Sequence, residues 1–151
     1  MRTYLSYYNS AKTIVPHSVV RELVNNIEDS EPMGALVGPK HINRAIRRAL
    51  TLSGWSGRVL IHPVSRMTIT AKKHEAGLCL QTGNVSRGYA DLLKLQSIYS
   101  EKRIAYGFLI LLMHDYAKSI GSNLATYERF SRELAVFSNA ITIPLVVVGI
   151  E

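Results

Sequence analysis

Two apolar runs in the C-terminal half of the chain place the strongest constraint on its fold. Ile104–Leu112 and Ile141–Ile150 are apolar at nearly every position. A strand that is apolar on both faces is typical of a central position in a sheet that is covered on both sides. Both runs are far shorter than the roughly 20 residues of a membrane-spanning helix. We therefore predict two buried strands, with Pro144 near the start of the second, where a missing N–H is tolerated.

The other segments alternate between helical and strand periodicity. Helical spacing predicts four helices, at His17–Asp29, Lys40–Ser53, Ser86–Lys102 and Asn123–Asn139. A fifth segment, Met113–Ile120, is predicted to be a short helix or a loop. Period-two patterns predict strands at Arg58–His62, Arg66–Ala71 and Gly77–Gln81, with connections at Pro63 and Lys72–Glu75. The Glu31–Gly34 segment ends the first helix. This order predicts one α/β domain over residues 1–151, with a mixed sheet flanked by helices.

The charge balance favours a polyanionic partner. Lys and Arg outnumber Asp and Glu by 18 to 11, which gives a formal net charge of +7 and a pI near 9.7. Nucleic acid is the usual partner of such a chain, and the alternative is a basic protein without one. The single cysteine excludes an intrachain disulfide and a cysteine-based zinc site, and it favours a cytoplasmic location. The N-terminal residues lack the apolar core of a signal peptide.

Polar residues follow the third predicted strand. Cys79 and Gln81 are two positions apart, so both side chains leave the same face of that strand. A Gly-Asn turn and the start of a helix come next, where Asn84, Arg87 and backbone N–H groups could bind a phosphate. Ordinary capping of this helix by Ser86 is the alternative. Six further cations could follow a phosphate backbone or form a solvated surface: Lys40, Arg44, Arg47, Arg48, Lys72 and Lys73.

These residues resemble the BglII/BamHI-type restriction endonucleases. Asn43 and Gly54-Trp55 match the helix and Gly-Trp signature that precede the sheet in that family. Three later segments continue the similarity in the same order. They are Cys79-x-Gln81-Thr82-Gly83-Asn84, which resembles a Glu-x-Gln-Phe-Gly-Asn/Lys strand end, Tyr89–Lys94 in the following helix, and Tyr127-Glu128-Arg129 with Glu133-Leu134 in a late helix. The resemblance covers residues 40–151.

The resemblance implies the PD-(D/E)XK nuclease fold, in a homodimer that cuts duplex DNA with Mg²⁺. In that fold one Asp and one Glu coordinate the metal, which activates water and stabilises charge on the scissile phosphate. By this resemblance the Glu position falls on Cys79, the Asp position on Thr70 and the Lys position on Lys73. Only Gln81 retains the family residue. Mg²⁺ prefers charged oxygen ligands, whereas this set offers a neutral hydroxyl and a soft thiol.

These departures leave three hypotheses. The first is a DNA-binding protein of this fold that has lost or altered its cleavage chemistry. The second is an active Mg²⁺-dependent endonuclease with ligands relocated to Glu22, Glu75 or Asp91, which requires two carboxylates within about 4–5 Å of Gln81. Asp91 could instead pair with Lys94 at i+3 of the same helix. The third is a protein-interaction module that retains only the fold, which predicts scattered rather than clustered basic residues.

Overall fold

The computed structural model describes residues 1–30 and 38–151. The elements in chain order are β1 (Thr3–Tyr8), α1 (Ala11–Ile14), α2 (His17–Glu28), α3 (Pro39–Leu52), β2 (Val59–His62), β3 (Met67–Ile69), β4 (Ala71–Lys73), β5 (Ala76–Gln81), α4 (Val85–Ser100), β6 (Tyr106–Leu112), α5 (His114–Ile120), α6 (Tyr127–Glu133) and β7 (Leu145–Ile150). In the described residues the main sheet has five strands in the order β1-β7-β6-β5-β4, and β2 and β3 form a separate pair.

The main sheet is built around β6, which lies between β5 and β7 and runs parallel to both. Every residue of β6 is buried, because helices cover both faces of the sheet. Helices α1, α2, α3 and α5 contribute to the core on one face, and α4 and α6 to the core on the other. Side chains alternate along β5, so Leu78 and Leu80 join the first core and Cys79 joins the second. This alternation determines which helices each polar residue of β5 can reach.

Close packing of α4 against α6 fixes the helical layer on the Cys79 face. Gly88 of α4 lies against the ring of Phe130, and a Cβ atom at this position would lie only 2.3 Å from the Phe130 Cζ. The same Phe130 ring stacks on Tyr89, with ring centroids 4.9 Å apart. The absence of a side chain at Gly88 therefore allows α6 to approach α4 and to cover the sheet.

Strand β1 is an element that the sequence patterns do not predict. Thr3–Tyr8 pairs antiparallel with β7 at the edge of the sheet and is only half-buried. Its hydroxyl groups bond to distant residues: Ser6 shares a 2.6 Å hydrogen bond with Tyr127, and Tyr8 donates to the Ser131 carbonyl at 3.0 Å. The strand is stabilised by tertiary partners rather than by an alternating apolar pattern of its own, which explains why its sequence does not reveal it.

The predicted strand Arg66–Ala71 is wrong as a single element. Its first part is β3, which pairs with β2, and its end belongs to β4, which pairs with β5. Thr70 lies at the change of partner, where its N–H donates to the Leu78 carbonyl at 3.0 Å and its hydroxyl accepts from the Leu80 N–H at 2.9 Å. The predicted Lys72–Glu75 connection is correspondingly shorter, because β4 extends to Lys73. A period-two pattern cannot show that a strand changes partners midway.

The predicted helix Asn123–Asn139 is also too long, since α6 covers only Tyr127–Glu133. The residues before it are extended: Leu124 forms a β-bridge with Asn84, and Thr126 forms one with Leu112. Their backbone groups are thus used by neighbouring strands instead of by a helix.

Two further predictions concern helices α5 and α2. The Met113–Ile120 segment contains α5, so it is a helix rather than a loop. Helix α2 ends at Glu28, and the Glu31–Gly34 segment that was expected to end it lies outside the described residues. Within residues 1–30 and 38–151, no helix combines the length and the apolarity needed to cross a membrane.

Lys73 connects three elements on the α2–α3 face of the sheet. Its ammonium donates to Glu22 Oε1 of α2 at 2.5 Å and to the Ser53 carbonyl, at the end of α3, at 2.7 Å. Carbonyl groups at a helix C-terminus carry partial negative charge, so a cation stabilises them. Cys79 packs on the opposite face. The structure therefore does not bring Lys73 beside the thiol, where the family resemblance expects a lysine.

We expect Lys73→Met to lower the free energy of unfolding by about 1–2 kcal/mol, because Glu22 and the Ser53 carbonyl both lose their donor and the pair is only partly exposed. Equilibrium unfolding in urea measures this change. Lys72→Met is the matched control: Lys72 is the half-buried neighbour on β4, and its loss should change stability by less than about 0.5 kcal/mol. Equal stability of the two variants would contradict the role assigned to Lys73.

Candidate functional site

A polar cleft opens at the carboxyl end of β5, where this strand meets the start of α3 and the start of α4. This strand-end cleft has a volume of about 790 Å³. Crevices at the carboxyl ends of strands are the usual binding sites of open α/β sheets. The residues that line it are Gly38, Pro39, Lys40, His41, Asn43, Gln81, Thr82, Gly83, Arg87 and Leu124. Two of its cations, Lys40 and Arg87, are exposed at its rim.

Gln81 is fixed in a single orientation at the floor of the strand-end cleft. Its Nε2 donates to Asp91 Oδ2 at 2.9 Å, and its Oε1 accepts from the Gly83 N–H at 2.9 Å. The second carboxylate oxygen of Asp91 accepts from Lys94 Nζ at 2.8 Å. The alternative in which Asp91 pairs with Lys94 is thereby confirmed. Because the amide and the carboxylate are both almost fully buried, this network holds the end of β5 against α4.

Thr70 and Cys79 lie side by side next to this network, on the α4 face of the sheet. Both are buried, and the Thr70 hydroxyl is already an acceptor for the Leu80 N–H. Burial strongly raises the pKa of the Cys79 thiol, and the negative charge of Asp91 raises it further. The Thr70 N–H, Lys94 and Arg47 lower this pKa by smaller amounts. The thiol is therefore protonated at neutral pH and is neither a nucleophile nor an anionic ligand.

Helix α3 carries a stripe of cations along the strand-end cleft. Lys40, Arg44 and Arg47 are four and three residues apart, so they lie on one side of the helix. Lys40 lines the cleft, Arg44 is exposed, and Arg47 is half-buried. Arg87 of α4 also lines the cleft, so Lys40 and Arg87 bring positive charge to it from two helices.

The structure places three other cations of the predicted set elsewhere. Arg48 lines a groove between α2 and α3, and Lys73 is bound to Glu22 on the far face of the sheet. Lys72 lines a groove at the amino end of β5 together with Lys102. The predicted phosphate contacts are thus only partly clustered. Lys40 and Arg87 line one cleft, Arg44 and Arg47 share the helix face of Lys40, and Arg48, Lys72 and Lys73 lie elsewhere.

Asn84 caps helix α4. Its Oδ1 accepts from the Ser86 N–H at 2.8 Å and from the Ser86 hydroxyl at 2.8 Å. Capping by Ser86 itself is therefore a wrong prediction, because the helix begins one residue earlier than the periodicity indicated. The cap directs the first turn of α4, and with it Arg87, towards the strand-end cleft.

A second cleft lies beside the first one, at the carboxyl end of β6. It shares Leu124 with the strand-end cleft and contains three cations that sequence reasoning did not select as contacts: Lys118, Arg129 and Arg132. In the sequence, Arg129 is distinguished only by its place in the late-helix resemblance. No sequence pattern distinguishes Lys118 or Arg132, because only the folding of α5 and α6 beside the end of β6 brings them to this edge.

The sheet order, the helices on both faces and the polar strand end define a restriction-endonuclease-like fold. The sequence model of the family described as restriction endonuclease BglII/BglIII matches residues 4–150, so the chain belongs to this family. The family resemblance and the predicted fold class are both confirmed.

Two solved structures share this architecture. The crystal structure of restriction endonuclease BglII complexed with a DNA 16-mer has a TM-score of 0.85 at 15% identity, and the match covers 99% of this chain and 76% of that chain. The structure of free BglII has a TM-score of 0.75 at 16% identity, with 100% and 80% covered. At such identities the likeness establishes the fold alone. No curated protein sequence matches the chain.

The resemblance implies Mg²⁺ near Gln81, but the donors that the structure places there do not fit this ion. The Thr70 hydroxyl is bonded to the backbone, the Cys79 thiol stays protonated, and Gln81 and Asp91 use their polar atoms on each other and on neighbours. Magnesium binds hard oxygen ligands in near-octahedral geometry. Among residues 1–30 and 38–151, no three His, Cys, Asp or Glu side chains are grouped as a metal site.

The other two candidate metal ligands lie away from Gln81. Glu22 is paired with Lys73 on the opposite face of the sheet. Glu75 is exposed in the turn between β4 and β5, at the end of β5 remote from Gln81. Of the three candidate carboxylates in the described chain, Asp91 is thus the one that contacts Gln81, through Oδ2. Its other carboxylate oxygen, Oδ1, accepts from the ammonium group of Lys94.

The buried Cys79 thiol should make the folded protein less stable as the pH rises into the alkaline range. Burial raises the pKa of the thiol in the folded state, so the unfolded chain releases this proton above about pH 8.5 while the folded chain retains it. The free energy of unfolding should therefore fall by about 1.4 kcal/mol per pH unit above that value. Urea unfolding between roughly pH 7.5 and 9.5 measures the slope, and Cys79→Ala should lack this contribution. Identical slopes in both proteins would refute it.

Proposed function

We propose that this protein binds duplex DNA through the strand-end cleft without metal-dependent cleavage. The observation that carries this proposal is the composition of the cleft: exposed cations surround a floor whose polar atoms are already bonded to one another. Such a surface attracts a polyanion and offers no open position for a catalytic cation. BglII, which shares this fold, has a crystal structure in complex with a DNA 16-mer.

The binding part of the proposal rests on the charged side chains at the cleft and on the position of helix α4. Lys40 and Arg87 line the cleft, and Arg44 extends the same stripe along α3. The N-terminus of the 16-residue helix α4 lies beside the cleft, where the positive end of the helix dipole favours a phosphate, although its first N–H groups already have protein acceptors. Past the end of β6, Lys118, Arg129 and Arg132 line the neighbouring cleft together with the acidic residues Asp115 and Glu128. The excess of positive charge is therefore greatest at the strand-end cleft, where we expect a phosphate backbone to bind.

The absence of cleavage rests on the chemistry of the floor. Hydrolysis of a phosphodiester by this fold depends on a metal that activates water and neutralises developing charge. By the family resemblance, Thr70 and Cys79 take the positions of the Asp and Glu, and neither side chain brings negative charge. Asp91 is the carboxylate that could replace them, and Gln81 and Lys94 already donate to both of its oxygens. This contact with Gln81 is also what favours the second candidate, an active enzyme with Asp91 as a relocated ligand.

We expect salt-sensitive binding of a mixed-sequence duplex that is the same in EDTA and in Ca²⁺, measured by fluorescence anisotropy. Ca²⁺ supports assembly of metal-dependent nucleases on DNA without turnover, so it tests for a metal site separately from cleavage. Lys40→Gln with Arg87→Gln should weaken binding at least tenfold and reduce the salt slope by about 2, because two phosphate contacts are lost. Incubation with Mg²⁺ should leave the duplex intact.

The matched control removes two exposed cations outside the cleft, with Lys12→Gln and Lys102→Gln. It should bind within about twofold of the unmodified protein if local contacts rather than net charge determine affinity. Tightening by Ca²⁺, or cleavage with Mg²⁺, would replace the proposal with the active enzyme. Failure to bind at low salt would leave the interaction module as the remaining hypothesis.

We also propose that the protein acts as a homodimer. The support is a set of exposed apolar side chains on the β2-β3 hairpin and on α4, namely Leu60, Val64, Met67 and Leu93, of which Met67 and Leu93 line one groove. Exposed apolar surface of this kind marks interaction sites when it is contiguous. Light scattering of the purified protein should give twice the monomer mass, and Leu93→Glu with Met67→Glu should reduce it to the monomer mass. A monomeric unmodified protein would exclude the dimer.

A further inference from the structure

The second cleft, at the carboxyl end of β6, contains cations of its own. It has a volume of about 960 Å³ and shares Leu124 with the strand-end cleft. Lys118 of α5 and Arg129 and Arg132 of α6 line it. Among residues 1–30 and 38–151, no protein acceptor lies within hydrogen-bonding or ion-pair distance of Lys118 or Arg132. These two side chains can therefore take an external anion without breaking an interaction of the folded protein.

Arg129 differs from the other two cations because the protein fixes its orientation. Its Nε donates to Glu133 Oε1 at 3.0 Å, one turn further along α6. The other carboxylate oxygen of Glu133, Oε2, accepts from the hydroxyl of Tyr89 on α4. Tyr89 is itself held by stacking on Phe130, with ring centroids 4.9 Å apart. A chain of contacts thus runs from α4 through Glu133 to the guanidinium group of Arg129.

An arginine held in this way is suited to a phosphate. The bond to Glu133 uses Nε and does not use the two terminal nitrogens of the guanidinium group. Arg129 lines the second cleft, and its side chain is 43% exposed. The planar fork of a guanidinium group matches two phosphate oxygens, and a fixed fork loses little conformational entropy on binding. Support of a binding residue by a second group is how proteins pre-organise a site.

Two acidic residues also line the second cleft and limit how much anion it can hold. Glu128 accepts from the His114 N–H through both carboxylate oxygens, at 3.1 and 2.9 Å, so it is engaged in capping α5. Asp115 lies in the first turn of α5 and is exposed. With these acids present, the lining of the cleft carries little net charge. We therefore expect it to bind a single phosphate rather than a stretch of the DNA backbone.

We propose that Arg129, oriented by Glu133 and Tyr89, binds one backbone phosphate of the DNA in the second cleft, with Lys118 and Arg132 as flanking contacts. This inference rests on the proposed function and deepens it, because it adds a contact beyond the strand-end cleft. The duplex then meets the protein at two neighbouring points along the carboxyl edge of the sheet. Glu133 and Tyr89 are positioning residues, since they act on the phosphate only through Arg129.

The first experiment measures duplex DNA binding by anisotropy in EDTA over a series of salt concentrations. Arg129→Gln should weaken binding about tenfold and Arg132→Gln about threefold, and each should reduce the salt slope by about 1. Arg129→Lys keeps the charge and lacks the fork, so it should weaken binding about threefold with little change in the slope. Lys102→Gln, the matched control, removes an exposed charge at the amino end of the sheet and should change neither quantity appreciably.

The same assay tests the positioning role and the location of the phosphate. Tyr89→Phe keeps the ring on Phe130 and removes the hydroxyl, so it should weaken binding about threefold at an unchanged salt slope. A network that serves only to pack α6 on α4 would instead lower the melting temperature and leave the affinity of the folded protein unchanged. Asp115→Asn should tighten binding about twofold, because it removes a like charge beside the phosphate. Unchanged or weaker binding by Asp115→Asn would contradict a phosphate in this cleft.

The second experiment uses the protein without DNA and inorganic phosphate as the probe. Sodium phosphate should raise the melting temperature above that in sodium chloride of equal ionic strength, because an anion that binds only the folded state stabilises it. Arg129→Gln combined with Arg132→Gln should reduce this difference, whereas Lys102→Gln should retain it in full. An equal difference in all three proteins would show a nonspecific salt effect and reject the site.

The outcomes separate this site from the broader proposal. If Arg129→Gln and Arg132→Gln leave DNA affinity and salt slope unchanged while the strand-end cleft variant binds weakly, the second site is overturned and the proposed function stands. No DNA binding by the unmodified protein would overturn the proposed function. The phosphate-dependent melting temperature would then still decide whether the second cleft holds a phosphate.

Discussion

The structure depends on one constraint: β6 is apolar on both faces and must be covered on both. Parallel pairing of β6 with β5 and β7 places all three carboxyl ends at one edge of the sheet. The two helical layers then require β5 to alternate, with Leu78 and Leu80 on one side and Cys79 and Gln81 on the other. The position of the polar strand end, and thus of the strand-end cleft, is a consequence of burying this hydrophobic centre.

The same alternation separates residues that are close in sequence. Lys73 and Cys79 lie on paired strands, yet Lys73 faces α2 and binds Glu22, while Cys79 packs below α4. Lys73 stabilises the fold, and the charged groups that remain near Gln81 come from helices instead. The ion pair of Asp91 and Lys94 in α4 is the charged group that contacts Gln81 in the described chain.

The proposed loss of the metal site would change what the cleft can do without changing the fold. A metal ion brings a Lewis acid and an activated water, whereas an ammonium or guanidinium group brings only hydrogen bonds and charge. Fixed cations can hold a phosphate and cannot generate the nucleophile that breaks its ester bond. The buried Gln81–Asp91–Lys94 network also attaches α4 to β5. Gln81 therefore contributes to the packing of this edge and also lines the cleft.

The sequence by itself determined the buried strands and the amphipathic helices, and its resemblance to the family predicts Thr70 and Cys79 at the positions of the acids. Each of these follows from local pattern or residue type, which the chain carries before it folds. Tertiary structure decided the rest: strand β1, the change of partner at Thr70, the Asn84 cap and the pairing of Lys73 with Glu22. These features depend on contacts between residues far apart in the chain, on which local periodicity carries no information. The face on which each charged side chain lies was fixed only by the packing of helices on both sides of the sheet.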